Sequence, residues 1–250
     1  MMQAVRWIWV AIFTMAAFAI YTGAAPAAET EAGPDTVRFE VTSIKAVRPI
    51  LVSTLSAIRQ GDIARAKEIF DSYDSAWNGI EVYINVRSKT LYEVLELDLQ
   101  AKITKALDTS NPDLAELASD AQAMLAKYDE VIDLVTKAPP LNPIYDDLAR
   151  LRIVRANLRE VSPALKAGNL AKARKSFEAF DDMWFDIEDF VRAQSLDAYI
   201  AIERGMLQIE EALMPEMPDI ASRVQTLVAD VMSQYNAVVT GVQRQARTAH

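Results

Sequence analysis

Six carboxylates carry most of the chemistry open to this chain: Asp74, Glu81 and Glu96, then Asp181, Glu188 and Glu203, each 107 residues after its counterpart. Asp74, Trp77 and Glu81 are spaced three and four apart, so they share one stripe of a helix. Phe70 lies on that stripe and sets it at or near the inward face; Phe177, Asp181, Trp184 and Glu188 repeat the pattern. Glu96 follows an apolar Leu95 on the next helix, four residues after Tyr92. Antiparallel pairing through a turn at Ser88 would bring Glu96 back beside Asp74 and Glu81. Carboxylates pointing inward from neighbouring helices are how bundles hold hard or borderline cations such as iron, manganese or calcium. The same residues also suit a purely structural role, in which each acid is held by Arg or by a Tyr or Trp donor and fixes helix register. Arg48, Arg87, Arg155 and Arg192 are available as partners. Trp77 and Trp184 read as core anchors or, with Tyr92 and Tyr199, as aromatic neighbours of a ligand.

Other chemistry is thin. There is no Cys, which removes disulfides, thiolate catalysis and thiolate metal sites. The only His is the last residue, His250, at a terminus that frays. Acid–base catalysis would then need a paired-carboxylate site, and the expectation is that the chain is not an enzyme. Met214-Pro215-Glu216-Met217 offers two thioethers suited to Cu(I), without a counterpart in the first copy.

The elements that must position the acids are themselves duplicated. GDIARAKEIFDSYDSAWNGIEVYINVRSKTLYEVLE falls on GNLAKARKSFEAFDDMWFDIEDFVRAQSLDAYIAIE without a gap, the mark of a repeated structural unit. Surface charges have drifted between the copies (Glu68/Lys175, Glu93/Ile200), whereas the six acids have not. Apolar residues recur at three and four throughout, and strand signals are nearly absent. Gly61 then Asp62, and Gly168 then Asn169, read as a helix stop followed by an N-cap. Ser88 and Ser195 read as further N-caps. Thr109 to Asp113 reads as a stop and restart, with Pro112 at the first helical position. Helices are predicted over 41–60, 62–87, 89–108, 112–137, 144–167, 169–193, 196–213 and 218–246, with Pro163 kinking its helix. The expected fold is all-α: a tandem duplication of an up-down four-helix unit, about eight helices in two bundles that a short linker would also allow to merge. The boundaries are 1–27 signal peptide, 28–40 tether, 41–138 first repeat, 139–143 Pro-rich linker and 144–247 second repeat.

MMQAVR supplies a positive start, WIWVAIFTMAAFAIYTG an apolar core and Ala25-Pro26-Ala27 a small-residue cleavage site. Export to the periplasm is expected, with an uncleaved N-terminal anchor as the alternative. No transmembrane segment is expected in the mature chain. The net charge is −9, and one unit more negative once Arg6 leaves with the leader. That balance disfavours nucleic acid and anionic membrane as partners and favours cations or basic surfaces.

The pattern Asp-x-x-Trp-x-x-Ile-Glu, followed by Ser, Tyr and Glu, fits Asp74-Trp77-Ile80-Glu81-Ser88-Tyr92-Glu96 and Asp181-Trp184-Ile187-Glu188-Ser195-Tyr199-Glu203. It resembles the extracytoplasmic helical domain that precedes the membrane part of bacterial iron permeases. That family carries iron through the membrane with Arg-Glu-x-x-Glu motifs in transmembrane helices. Here Glu93-Val94-Leu95-Glu96 follows Tyr92, and Ile200 replaces Glu93 in the second copy, so permease activity does not carry over. The resemblance implies a free-standing periplasmic accessory or binding protein of iron (Fe2+/Fe3+) or other divalent metal uptake. Its partner would be a membrane iron permease or another periplasmic iron-uptake protein. The competing reading is a metal-free helical adaptor or scaffold of the cell envelope.

Overall fold

The computed structural model describes residues 38–213 and 220–249, and every regular element among them is helical. In chain order these are α1 (Phe39–Arg59), α2 (Ile63–Arg87), α3 (Lys89–Glu93), a π-helical segment (Val94–Gln100), α4 (Ala101–Leu107), α5 (Leu114–Lys137), α6 (Ile144–Lys166), α7 (Leu170–Trp184), α8 (Glu188–Gln194), α9 (Leu196–Leu213) and α10 (Ile220–Thr248). The expected signal peptide, the tether up to residue 37, the Met214-to-Met217 thioethers and His250 lie outside the described residues.

The helix ends follow the local chemistry read from the sequence. Gly61 and Gly168 take φ of 73° and 70°, a left-handed turn that costs an L side chain strain. Asp62 and Asn169 then accept the amides of Arg65 and Lys172 at 3.0 and 2.9 Å. Ser88 and Ser195 do the same for Leu91 and Ala198, both at 3.2 Å. Two expectations need correction. Pro112 is not the first helical residue; Asp113 is the cap, accepting from Ala115 and Glu116 at 2.9 and 3.1 Å. The helix predicted over 169–193 is broken at residues 185–187, where the Asp186 and Ile187 amides reach back three residues to Met183 and Trp184 at 3.3 and 3.0 Å. That stretch has neither Gly nor Pro to announce the break.

α1 lies between α2 and α5, and α6 lies between α7 and α10. α2 also packs along α6, so the described helices form one compact body, without the gap between bundles that the linker had left open. Its core is a single apolar cluster running from Val41 to Ala246, with Trp77, Trp184, Tyr73, Tyr83, Tyr128 and Tyr235 among its largest members. Tyr128 donates to the Ile44 carbonyl at 2.8 Å and Tyr235 to the Leu151 carbonyl at 2.7 Å, so each buried hydroxyl is satisfied while it ties two helices together. α1 is the one described helix long and apolar enough to cross a membrane, with a mean hydropathy of 1.3. Its apolar stripe is taken up by α2 and α5.

The α2–α6 seam is tight. A Cβ on Gly79 would sit 2.3 Å from Ile153 Cγ1, so only glycine admits this approach. Tyr83 donates to Asp146 at 2.6 Å, and the Arg150 guanidinium lies 4.0 Å above the Phe39 ring, fastening α6 to the start of α1. The tether is shorter than its polar composition implied. Arg38 donates to the carbonyls of Ala138 and Val135, each at 2.6 Å. Glu40 is 3% exposed and pairs with Arg87 at 2.6 Å. Arg38 stands 3.1 Å from the other Glu40 oxygen, close enough for charge attraction but out of line for a hydrogen bond. Residues 38–40 therefore belong to the folded body, not to the tether.

Candidate functional site

α2 and the helix running through α3, the π segment and α4 lie side by side, as the turn at Ser88 required, and bring the first three acids to one edge of the core. Trp77 is their floor. It is fully buried, stacked on Tyr73 (5.8 Å, 24°) and on Tyr92 (6.3 Å, 12°). Asp74 is exposed and accepts from the Gln100 side-chain amide at 2.7 Å. Glu96 is half-buried, with Oε2 enclosed and unbonded. Burial, then the Glu81 charge, push its carboxyl above the ordinary glutamate range; the Trp77 indole pulls the other way, and Asp74 adds to the rise. Although the indole influences Glu96, the pair does not close to hydrogen-bond geometry, and Trp77 Nε1 is buried without a partner.

Glu81 has a different task. Arg152 of α6 donates to it at 2.8 Å across the seam, with Arg152 11% and Glu81 21% exposed. Burial still raises the Glu81 carboxyl, against the pull of Arg152 and Arg155. The sequence pointed to four other arginines. Arg48 pairs with Asp129, Arg87 with Glu40 and Arg192 with Asp189, while Arg155 donates to Asn236 at 2.9 Å. The correct partner was missed because Arg152 lies in the other half of the chain, where no spacing argument reaches it.

The second set is arranged differently. Trp184 donates to Glu203 at 2.5 Å, and its ring stacks on Tyr199 (6.3 Å, 13°), over which Arg192 stands at 5.9 Å. Glu188 sits beyond the helix break; burial and the Glu203 charge raise its carboxyl. Asp181 is half-buried on α7. The six acids are thus two unlike groups. Among the described residues no three acidic side chains gather closely enough to hold a metal ion between them.

Two residues that the spacing argument passed over complete the first group. The Tyr73 hydroxyl is fully buried and unbonded, and its proton is held far more tightly than in a free phenol, first by burial and then by its acidic neighbours Glu96, Asp74 and Glu81. Gln100 is 7% exposed, with its amide nitrogen on Asp74 and its Oε1 unbonded. Glu96 and Gln100 line an open groove with Thr104, Lys105 and Asp108, so these two residues border solvent although their orphaned oxygens face inward. Tyr73 looked like one more core aromatic, and Gln100 falls on an inward position only because the helix widens there. Compared with known proteins, the chain matches no family model, no curated protein and no solved structure.

Proposed function

We propose that this chain is an exported accessory protein of metal-ion uptake, iron or a similar hard cation, which holds the ion at the edge of its helical core and serves a separate membrane permease. What carries the reading is the first acidic group. Glu96 keeps a buried, unbonded carboxylate oxygen within electrostatic reach of Asp74, and the residue lines a groove open to solvent. A buried, unmatched carboxylate is costly unless a cation or a donor meets it. The resemblance to the extracytoplasmic domain of iron permeases, the leader-like N-terminus and the internal repeat support the same assignment. Isothermal titration of the full chain with Fe2+ under anaerobic conditions, and with Mn2+, tests it. Saturable binding is expected; no uptake of either ion would sink the proposal.

A second reading, the metal-free envelope adaptor, is favoured by a specific observation. Glu81 is occupied by Arg152, Glu203 by Trp184 and Asp74 by Gln100, so three of the acids already have protein partners that brace the fold. Under this reading Glu96→Gln leaves every binding property unchanged and the protein works through its surface alone.

A further inference from the structure

The two acidic groups differ by one residue of chain. Up to the first turn of the π segment, buried positions correspond at an offset of 107: Leu95 with Ile202, as Trp77 with Trp184. Beyond it they correspond at 106: Ile103 with Ile209, Leu107 with Leu213. The first copy therefore carries one additional residue between Leu95 and Ile103, and the π segment Val94–Gln100 is where it sits. An extra residue in a regular helix would rotate everything downstream by about 100° and turn the apolar face outward. A single wide turn absorbs it instead, and such turns cluster at functional sites.

The polar residues differ at the same place. Tyr73 stands where the second copy has Phe180, and buried Gln100 where it has buried Met206. Each substitution adds an oxygen to the first group, and each added oxygen is buried and unbonded, as are Glu96 Oε2 and Trp77 Nε1. In the second copy the matching indole is closed onto Glu203. Unpaired buried polar atoms are costly in a folded protein, so the three oxygens point to a ligand that the second copy does not take; the Trp77 N–H, a donor, is no part of the ligand set.

We propose that the first group alone is a ligand site, built by this one-residue insertion, and that it takes one hard cation per chain through oxygens of Glu96, Gln100, Tyr73 and Asp74. The inference rests on the cation reading above and adds which half binds, with what atoms and in what number. The donor set is carboxylate, amide carbonyl and hydroxyl oxygen, without nitrogen or sulfur, and so selects Ca2+, Mn2+, iron or a lanthanide over softer metals. Glu81 stays with Arg152 and is not a ligand.

Tb3+ is the probe, because tryptophan next to a bound lanthanide sensitises its emission. With full chain, one Tb3+ per chain is expected, and Mn2+ should displace it. With excitation at the long-wavelength edge, where tryptophan absorbs and tyrosine does not, Trp77→Phe should abolish the sensitised emission, whereas Trp184→Phe should leave it. Glu96→Gln and Gln100→Met should each weaken binding by roughly 10–100-fold, the range seen when a metal site loses part of its shell, and Glu203→Gln should change it less than about twofold. Tyr73→Phe and Gln100→Met install the second copy's own residues, so they keep the fold, and circular dichroism verifies that they do. Two ions per chain, or equal losses from Glu96→Gln and Glu203→Gln, would overturn the asymmetry and leave the uptake proposal intact. No binding of Tb3+ or Mn2+ by the wild type would overturn both.

Discussion

The two buried tryptophans offer a controlled comparison, since one closes a hydrogen bond and the other does not. Trp77→Phe and Trp184→Phe remove the same ring atoms from sites of near-identical burial, 0% and 1% exposed. The shared loss of buried area and the small cavity left should cost about 1–2 kcal/mol in each. At Trp184 the change also deletes the 2.5 Å bond to the Glu203 carboxylate. Hydrogen bonds to charged groups contribute about 1.5–3 kcal/mol, and half-buried Glu203 can turn to water, so the lower end applies. At Trp77 the deleted N–H has no partner, and removing an unpaired buried donor returns some of its desolvation cost. Trp184→Phe should thus be the more damaging by about 2 kcal/mol. For a chain of this size that separates the two thermal midpoints by roughly 4–8 °C. Thermal melts followed by far-ultraviolet circular dichroism at neutral pH read the gap directly. Equal losses, or a greater loss at Trp77, would refute the claim that the two sites are built differently.

The seam and the acids give further tests. Arg152→Met should cost about 3 kcal/mol in urea melts by stranding Glu81, and Arg152→Met combined with Glu81→Met should recover most of it; a double variant as weak as the sum of the singles would show the pair is not coupled. Gly79→Ala should destabilise by roughly 1–3 kcal/mol despite the better helix former, because the new methyl meets Ile153, and Ile153→Ala should restore part of that loss. Burial raises the carboxyls of Glu81, Glu96 and Glu188 above the ordinary 4.5, so between that value and their folded values the folded chain holds more protons than the unfolded one. Stability should therefore climb as pH falls from neutral towards about 4.5, and Glu96→Gln should flatten the climb. Asp129, lowered by Arg48, acts in the opposite sense, and its contribution should disappear only as pH falls below about 3.8.

The helical period, the glycine stops and the side-chain caps are local signals, and Gly61-Asp62, Gly168-Asn169, Ser88 and Ser195 could all be placed from spacing alone. Burial of Trp77 and Trp184 followed from the apolar stripe they share with Phe70 and Phe177. Three features were beyond that method. The wide turn at Val94–Gln100 leaves no period that a run of seven residues can display, and it appears only when buried positions of the two copies are compared. The ion pairs Glu81–Arg152 and Glu40–Arg87 join residues far apart in the chain, and nothing in either neighbourhood names its partner. The acids were read as equivalent because their letters matched, whereas the atoms around them, Tyr73 against Phe180 and Gln100 against Met206, did not.

The run Pro139-Pro140-Leu141-Asn142-Pro143 has the composition of a hinge, yet it is strapped. Arg87 donates to the Pro139 carbonyl at 3.0 Å and Arg38 to the Ala138 carbonyl at 2.6 Å, while Leu141 rests on the core. Beneath it, Tyr83–Asp146 and Gly79 against Ile153 lock the flanking helices. Among the described residues this segment thus offers no lever by which the helices on either side of it could swing together, in the manner of a two-lobed clamp. Under the proposed function, an ion would meet a cradle braced on both sides of this segment, its capture and release governed by a few side chains at the rim, and a permease partner would have to take it there.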